Sequence, residues 1–107
     1  MVPYAFMEKR KPSFDLEAFK AVGGDPRRLV MTTTAYRSAQ VLGFDRPLVT
    51  GVIRSMQRAH FYKSMTGYRD YRRWHDVYHV PWKGMTLYVK FTDDVVSEFT
   101  ILSFKER

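Results

Sequence analysis

The sequence predicts an α+β protein in which N-terminal helices pack on one face of a C-terminal antiparallel sheet. In the first half of the chain, apolar residues recur at spacings of three and four, which is typical of amphipathic helices. After residue 60 the period changes to two, which indicates strands with one buried face. The chain has 107 residues, 45% of them hydrophobic, and no evident internal repeat, so we expect a single domain over residues 1–107.

Three helices are predicted, each from a capping residue followed by apolar residues at helical spacing. The capping positions are Ser13, the threonines at 32–34, and Asp45 with Pro47. The apolar positions are Leu16, Phe19 and Val22; Ala35, Ala39 and Leu42; and Val49, Val52, Ile53 and Met56. Glycines at 23–24 and at 43 end the first two helices. Between these helices, residues 29–31 form a short apolar run that predicts an isolated strand.

The strands follow at 75–80, 85–92 and 98–105, separated by residues 81–84 and by a turn at Asp93 and Asp94. The strand at 85–92 alternates apolar and polar residues, so Tyr88 and Lys90 are expected on a sheet face that the helices leave open. In the last strand, strict alternation places Lys105 on the same side as Phe99 and Ile101. Lys105 therefore reaches the open face only if the strand twists or ends there.

The net charge of +7 and the pI near 9.9 favour a polyanionic partner. Basic residues cluster between positions 54 and 73, where tyrosines are interleaved with them: Arg54, Arg58, Lys63, Arg69, Arg72 and Arg73, with Tyr62, Tyr68 and Tyr71. Cations can follow phosphates while rings stack on unpaired bases, so the pattern suits single-stranded RNA. The plainer interpretation is a solvated basic strand pair, and for Trp74 a place in the core is favoured over base stacking.

Several classes of function are disfavoured by composition. The chain has no cysteine, and its three histidines lack carboxylates at ligand spacing, so no metal and no cofactor are predicted. The N-terminal segment does not have the pattern of a signal peptide, and no window approaches the roughly 20 apolar residues of a membrane span. We therefore expect a cytoplasmic protein without a membrane partner.

Cleavage of RNA needs no metal in principle, because the 2′-hydroxyl is a nucleophile within the substrate itself. The enzyme must remove its proton, stabilise negative charge around phosphorus and protonate the leaving 5′-oxygen. Histidine, lysine and tyrosine suit these tasks, and the predicted neighbouring strands contain them: His75, Tyr88, Lys63, Lys90 and Lys105. From the spacing alone, a structural role for His75 stays open.

Five segments carry a resemblance to a known family: MEKRKP (7–12), FYKSMTGY (61–68), WHDVYH (74–79), LYVKF (87–91) and SFKER (103–107). Together they resemble the MqsR family of toxin–antitoxin mRNA interferases, which belong with the RelE-like ribonucleases. The likeness runs from Met7 to Arg107. Residues 1–6 lie outside it and are expected to be an N-terminal extension, with Met7 equivalent to the usual start of the family.

The resemblance implies a toxin that cleaves mRNA without a metal. It implies catalytic roles for Lys63, Tyr88 and Lys105, and for His75, which stands where a family member has glutamine. Two roles for His75 are open: it transfers a proton, or it only hydrogen-bonds the RNA as glutamine would. Further residues are predicted to bind RNA: Tyr62, Arg69, Arg72, Arg73 and Lys90.

The resemblance also implies an antitoxin, expected to bind zinc and to carry a helix-turn-helix domain, in a toxin–antitoxin hetero-oligomer. Two rival functions stay open, and the first explains the charge and the aromatic residues equally well. One is a non-catalytic RNA- or DNA-binding module, and the other is an interaction protein that docks an acidic partner.

Overall fold

The computed structural model describes residues 7–67 and 70–107. Within these residues the chain forms three α-helices, one 3₁₀ turn and five strands. In chain order they are β1 (Glu8–Lys9), α1 (Leu16–Gly23), α2 (Thr33–Val41), α3 (Arg46–Ser55), the 3₁₀ turn (Arg58–His60), β2 (Phe61–Thr66), β3 (Trp74–Trp82), β4 (Met85–Asp94) and β5 (Glu98–Glu106). The predicted α+β class, with helices preceding the main strands, is confirmed.

The five strands form one antiparallel sheet in which each strand pairs with its neighbours in the chain, in the order β1-β2-β3-β4-β5. The helices cover one face of this sheet and bury apolar side chains from β3, β4 and β5. Phe19 of α1 stacks on Phe91 of β4, with ring centres 3.6 Å apart. The opposite face carries no helix from the described residues, and we call it the open face.

Each helix begins at a side chain that accepts a backbone N–H of its first turn. The caps are Asp15, Thr32 and Asp45, which accept from Ala18, Ala35 and Leu48 at 3.0–3.1 Å. The prediction of Ser13 as the first cap is wrong, because Asp15 lies directly before the helix. Ser13 instead donates its N–H to Asp76, and its hydroxyl lies 2.7 Å from the Ser64 hydroxyl. Gly43 follows α2 with φ +82°, the left-handed conformation that favours glycine after a helix.

The turns between strands begin later in the chain than the sequence predicted. β3 continues to Trp82, and Lys83 and Gly84, both with positive φ, form a two-residue hairpin turn. β4 continues through Asp94, so the turn lies at residues 95–97 rather than at Asp93 and Asp94. The predicted isolated strand at 29–31 is a single parallel bridge from Met31 to Ile101.

A β-bulge in β5 decides which face its C-terminal residues occupy. Ile101 pairs with Phe91 and Phe104 pairs with Val89, so two core residues of β5 are three positions apart and Leu102 has no opposite partner. One extra residue inverts the alternation. Lys105 therefore lies opposite Tyr88 on the open face, and the prediction that it shares a side with Ile101 is wrong.

Two predictions concern residues outside the described ranges: the N-terminal extension at 1–6 and the RNA contact at Arg69. Among the helices that the structure describes, none is long and apolar enough to cross a membrane. The RelE-like relationship stays a prediction from the resemblance.

Candidate active site on the open sheet face

The open face collects polar and charged side chains from all five strands. Residues that alternate with the core positions of each strand contribute to it: Glu8, Lys63, Met65, His75, Val77, His79, Tyr88, Lys90, Ser103 and Lys105. A second bulge, in β2 between Phe61 and Lys63, adds Tyr62 to this face. The structure thus brings together three of the four predicted catalytic positions, Lys63, Tyr88 and Lys105.

Tyr88 and Lys105 are direct cross-strand neighbours. The Lys105 ammonium lies 5.3 Å from the centre of the Tyr88 ring. Burial raises the pKa of Tyr88, while the positive charge of Lys63 acts in the opposite direction. The phenol is therefore protonated at neutral pH, so it can donate a hydrogen bond or a proton beside a cation.

Lys63 is held on the open face by an acidic neighbour. Its ammonium forms an ion pair with the Glu8 carboxylate across β1 and β2, and its side chain is only 18% exposed. The ammonium also lies 5.3 Å from the centre of the Tyr62 ring. A phosphate that binds Lys63 must therefore compete with Glu8, a residue that sequence analysis did not select.

Lys90 lies on β4, two residues beyond Tyr88. It pairs with Val77 on β3 and with Ser103 on β5. Burial lowers the pKa of Lys90, and the charges of Lys105 and Lys63 lower it further. Lys90 thus lies within electrostatic reach of both Lys105 and Lys63. Such a concentration of positive charge is well suited to a phosphate group.

His75, the fourth predicted catalytic residue, lies away from Tyr88 and Lys105, although the charge of Lys90 reaches it. It faces Met65 near the start of β3, and it is four residues, roughly 13 Å along a strand, from His79, the residue opposite Tyr88. Its Nδ1 is buried without a hydrogen-bond partner among residues 7–67 and 70–107, and a methyl group at Gly67 would stand 3.1 Å from its Cε1. Burial, followed by Lys90 and Arg73, lowers the pKa of His75.

Two of the arginines predicted to bind RNA lie at the end of the sheet beyond His75. Arg73 donates to the Asp93 carbonyl and lies 3.5 Å from its carboxylate. The Arg72 side chain is 79% exposed and lies 3.6 Å from Asp70. Trp74, beside them, is half-buried on the helix side of the sheet, with the Lys9 ammonium 4.1 Å from its ring centre. It is not among the core residues of the described chain, so the structure does not confirm the predicted core position.

His79 is the residue on the open face that sequence analysis missed. Its ring stacks on Tyr62, with centres 4.2 Å apart and planes 22° apart, and its centre lies 5.9 Å from that of Tyr88. Burial lowers the pKa of His79, and the charges of Arg107 and Lys63 add to the effect. The signal in the sequence was its even spacing from His75, but choosing between the two histidines requires the strand register.

In the part of the chain that the structure describes, no three His, Asp or Glu side chains are grouped so that they could hold a metal ion. The charged groups of the open face are instead mainly cations. The arrangement can bind an anion and offer it both a neutral phenol and imidazole groups.

Two comparisons with known proteins, one with family profiles and one with individual sequences, each found a match to a toxin. Residues 11–106 match the profile of a family described as motility quorum-sensing regulator, toxin of MqsA. The chain is 37% identical over 103 residues to the mRNA interferase toxin MqsR of Escherichia coli (strain K12), and the match covers 94% of this chain and 100% of the relative. The match defines the protein as a toxin by class. It belongs to the MqsR toxin family.

The family assignment confirms the resemblance on which the site residues were chosen. The name of the relative, an mRNA interferase, supports the prediction that the chain is an enzyme. The family description, which names the toxin as that of MqsA, supports a protein partner in the form of an antitoxin.

Proposed function

We propose that this chain, as one catalytic domain over residues 1–107, is an endoribonuclease that cleaves mRNA in the cytoplasm without a metal ion. The observation that carries the proposal is the convergence of Lys63, Tyr88 and Lys105 on the open face. The same residue types can bind phosphate and donate a proton. The activity of the Escherichia coli relative, given in its name, supports the same reaction.

In the proposed reaction, the 2′-oxygen of one nucleotide attacks the adjacent phosphorus. The 2′-oxygen–phosphorus bond forms, the bond from phosphorus to the 5′-oxygen breaks, and the products carry a 2′,3′-cyclic phosphate and a 5′-hydroxyl. Lys63 and Lys105 neutralise the charge that develops on the phosphoryl oxygens. Tyr88, whose pKa burial raises, donates its proton to the leaving 5′-oxygen.

His75 is proposed to contact the RNA beyond the scissile phosphate, toward the start of β3. Its separation from Tyr88 and its buried Nδ1 support the second of its two predicted roles, hydrogen bonding without proton transfer. Lys90 and Tyr62 are proposed to bind the nucleotides nearest the reaction. Arg72 and Arg73, with Arg69, are proposed to follow the RNA beyond His75 at the end of the sheet.

The proposed partner is a cognate antitoxin that binds zinc, carries a helix-turn-helix domain and silences the toxin in a hetero-oligomer. The family description supports an antitoxin, and the zinc site and DNA-binding domain come from the resemblance. Sequencing the neighbouring gene tests these features. A reading frame that has neither paired cysteines nor a helix-turn-helix pattern would contradict them.

The proposed activity is tested by incubating end-labelled single-stranded RNA with the purified protein in excess EDTA. We expect cleavage with 2′,3′-cyclic phosphate ends. Lys105→Ala and Lys63→Ala should each lower the rate by about 10²–10³ because they remove charge stabilisation. Tyr88→Phe should lower it by about 10²–10⁴ through loss of the proton donor.

Arg37→Ala is the matched control, because Arg37 is an exposed cation on α2, on the helix side of the molecule. It should keep the wild-type rate. RNA that binds but stays intact, both alone and on translating ribosomes, would overturn the proposal in favour of the non-catalytic binding module. Cleavage that stops in EDTA would overturn its metal independence.

A further inference from the structure

We propose that His79, rather than His75, is the general base that removes the proton from the attacking 2′-hydroxyl. The inference rests on the proposed ribonuclease function and adds a catalytic residue to it. Three observations carry it: the place of His79 in the strand register, the aromatic contact that orients its ring, and the charges that surround it.

The strand register places His79 beside the proposed proton donor. His79 pairs directly with Tyr88, and Tyr88 pairs directly with Lys105, so the three side chains form one row across β3, β4 and β5. The centres of the His79 and Tyr88 rings are 5.9 Å apart. A scissile phosphodiester lying over this row can therefore present the 2′-hydroxyl of one nucleotide to one ring and the leaving 5′-oxygen of the next to the other.

The ring of His79 is held in place by Tyr62. The two rings stack with their centres 4.2 Å apart. Tyr62 is itself fixed by Arg10, which donates to its backbone carbonyl at 3.1 Å and lies 5.5 Å from its ring centre. An oriented imidazole loses less freedom when it engages the substrate, which favours a catalytic role.

Burial and the positive charges around His79 lower its pKa and so favour the neutral imidazole. The titratable groups that face it or border it come from β1, β2, β4 and the end of β5: Glu8, Arg10, Tyr62, Lys63, Tyr88, Lys105 and Arg107. Burial, then Arg107 and then Lys63 lower the pKa of His79 below its ordinary 6.5. A neutral imidazole has a free nitrogen that can accept a proton, as a general base must.

His75 fits this task less well, although the two histidines share a strand and a face. It lies four residues along β3 from His79, the partner of Tyr88, and one of its ring nitrogens is buried. His79 and Tyr88 together account for both proton transfers of the reaction. The 2′-hydroxyl proton passes to His79 as the 2′-oxygen–phosphorus bond forms, and the Tyr88 proton passes to the 5′-oxygen as its bond to phosphorus breaks. Exchange with water then restores both side chains.

The first test is the pH dependence of kcat/KM for RNA cleavage by wild type, His79→Gln and His75→Gln. In the wild type, the rate should fall as pH drops through the pKa of His79, below 6.5, because protonation removes the base. His79→Gln should lower the rate by about 10²–10⁴ at pH 7 and abolish this acid limb, whereas His75→Gln should keep the limb. His79→Asn and thermal melts of every variant control for folding.

The second test separates the base from the acid with an RNA that has sulfur in place of the bridging 5′-oxygen. A thiolate leaves without a proton donor, so this substrate should relieve the defect of Tyr88→Phe and leave that of His79→Gln. Relief of the His79→Gln defect, or survival of its acid limb, would overturn the assignment of His79 while the ribonuclease function stands. Absence of cleavage by the wild type would instead overturn the proposed function.

Discussion

The buried carboxylate of Asp76 fastens the N-terminal segment to the sheet. It is fully buried on the helix side of β3 and accepts the backbone N–H of Ser13 at 3.0 and 3.1 Å and that of Phe14 at 3.0 Å. The anchored segment joins β1, which carries Glu8 beside Lys63, to α1. A buried polar group is tolerated here because backbone N–H groups of Ser13 and Phe14 donate to it.

Replacement of Asp76 by alanine should lower the free energy of unfolding by about 3 kcal/mol, since it leaves two partly buried N–H groups without an acceptor. Urea denaturation followed by circular dichroism would measure the change. Glu17→Ala is the control, because it removes a carboxylate that is 78% exposed, and it should cost less than about 1 kcal/mol. Equal effects of the two substitutions would contradict the anchoring role.

At the scale of the element, the bulge at Leu102 couples the core to the open face. On one side of it Ile101 is buried against Phe91, and beyond it Phe104 is buried while Lys105 faces Tyr88. The carbonyl of Leu102 also accepts a long hydrogen bond, 3.4 Å, from the hydroxyl of Thr32, the cap of α2. The site lysine thus owes its position to an irregularity in the strand.

Deletion of Leu102 removes the extra residue, so strict alternation should keep Phe104 opposite Val89 in the core and Lys105 opposite Tyr88 on the open face. We therefore expect the deletion variant to fold and to cleave RNA at close to the wild-type rate. Leu102→Ala keeps the bulge and should also retain the wild-type rate of cleavage. Urea denaturation and the cleavage assay measure the two properties. A deletion variant that cleaves as slowly as Lys105→Ala would contradict the assignment of Leu102 as the extra residue.

At the scale of the whole molecule, the net charge of +7 comes from cations on two surfaces, the open face and the helix side. The open face carries Lys63, Lys90 and Lys105, and the charges of Lys105 and Lys63 both lower the pKa of Lys90. Other exposed cations, such as Arg37, lie on the helix side. We infer that phosphate binding follows this division, because screened surface charges act over only about 8–10 Å at physiological salt.

RNA binding should therefore weaken with salt, and Lys63→Ala and Lys105→Ala should each reduce the slope of log K against log salt by about 0.7. An RNA with 2′-O-methyl groups prevents cleavage during the titration. Arg37→Ala removes the same charge and should leave the slope unchanged. If all three variants change the slope equally, RNA binding depends on the net charge of the protein and not on the lysines of the open face.

Much of the fold could be predicted because its causes are local. The caps at Thr32 and Asp45, the buried faces of α2 and α3 and the alternation of β4 all depend on residues within a few positions of one another. Ser13 was mistaken for a cap because a serine near a helix start satisfies the same local pattern as Asp15. Its actual partners, Asp76 and Ser64, are more than 50 residues away in the sequence.

The sequence by itself determined the α+β class, the basic open face and the choice of Lys63, Tyr88 and Lys105, since periodicity, charge and family motifs are properties of residue order. Only the tertiary structure decided that Lys105 meets Tyr88, that Tyr62 shares the open face, and that His79 is closer than His75 to that pair. The physical reason is that strand register and bulges follow from pairing between distant segments. A single extra residue exchanges the two faces of a strand, and local patterns do not reveal where such a residue lies.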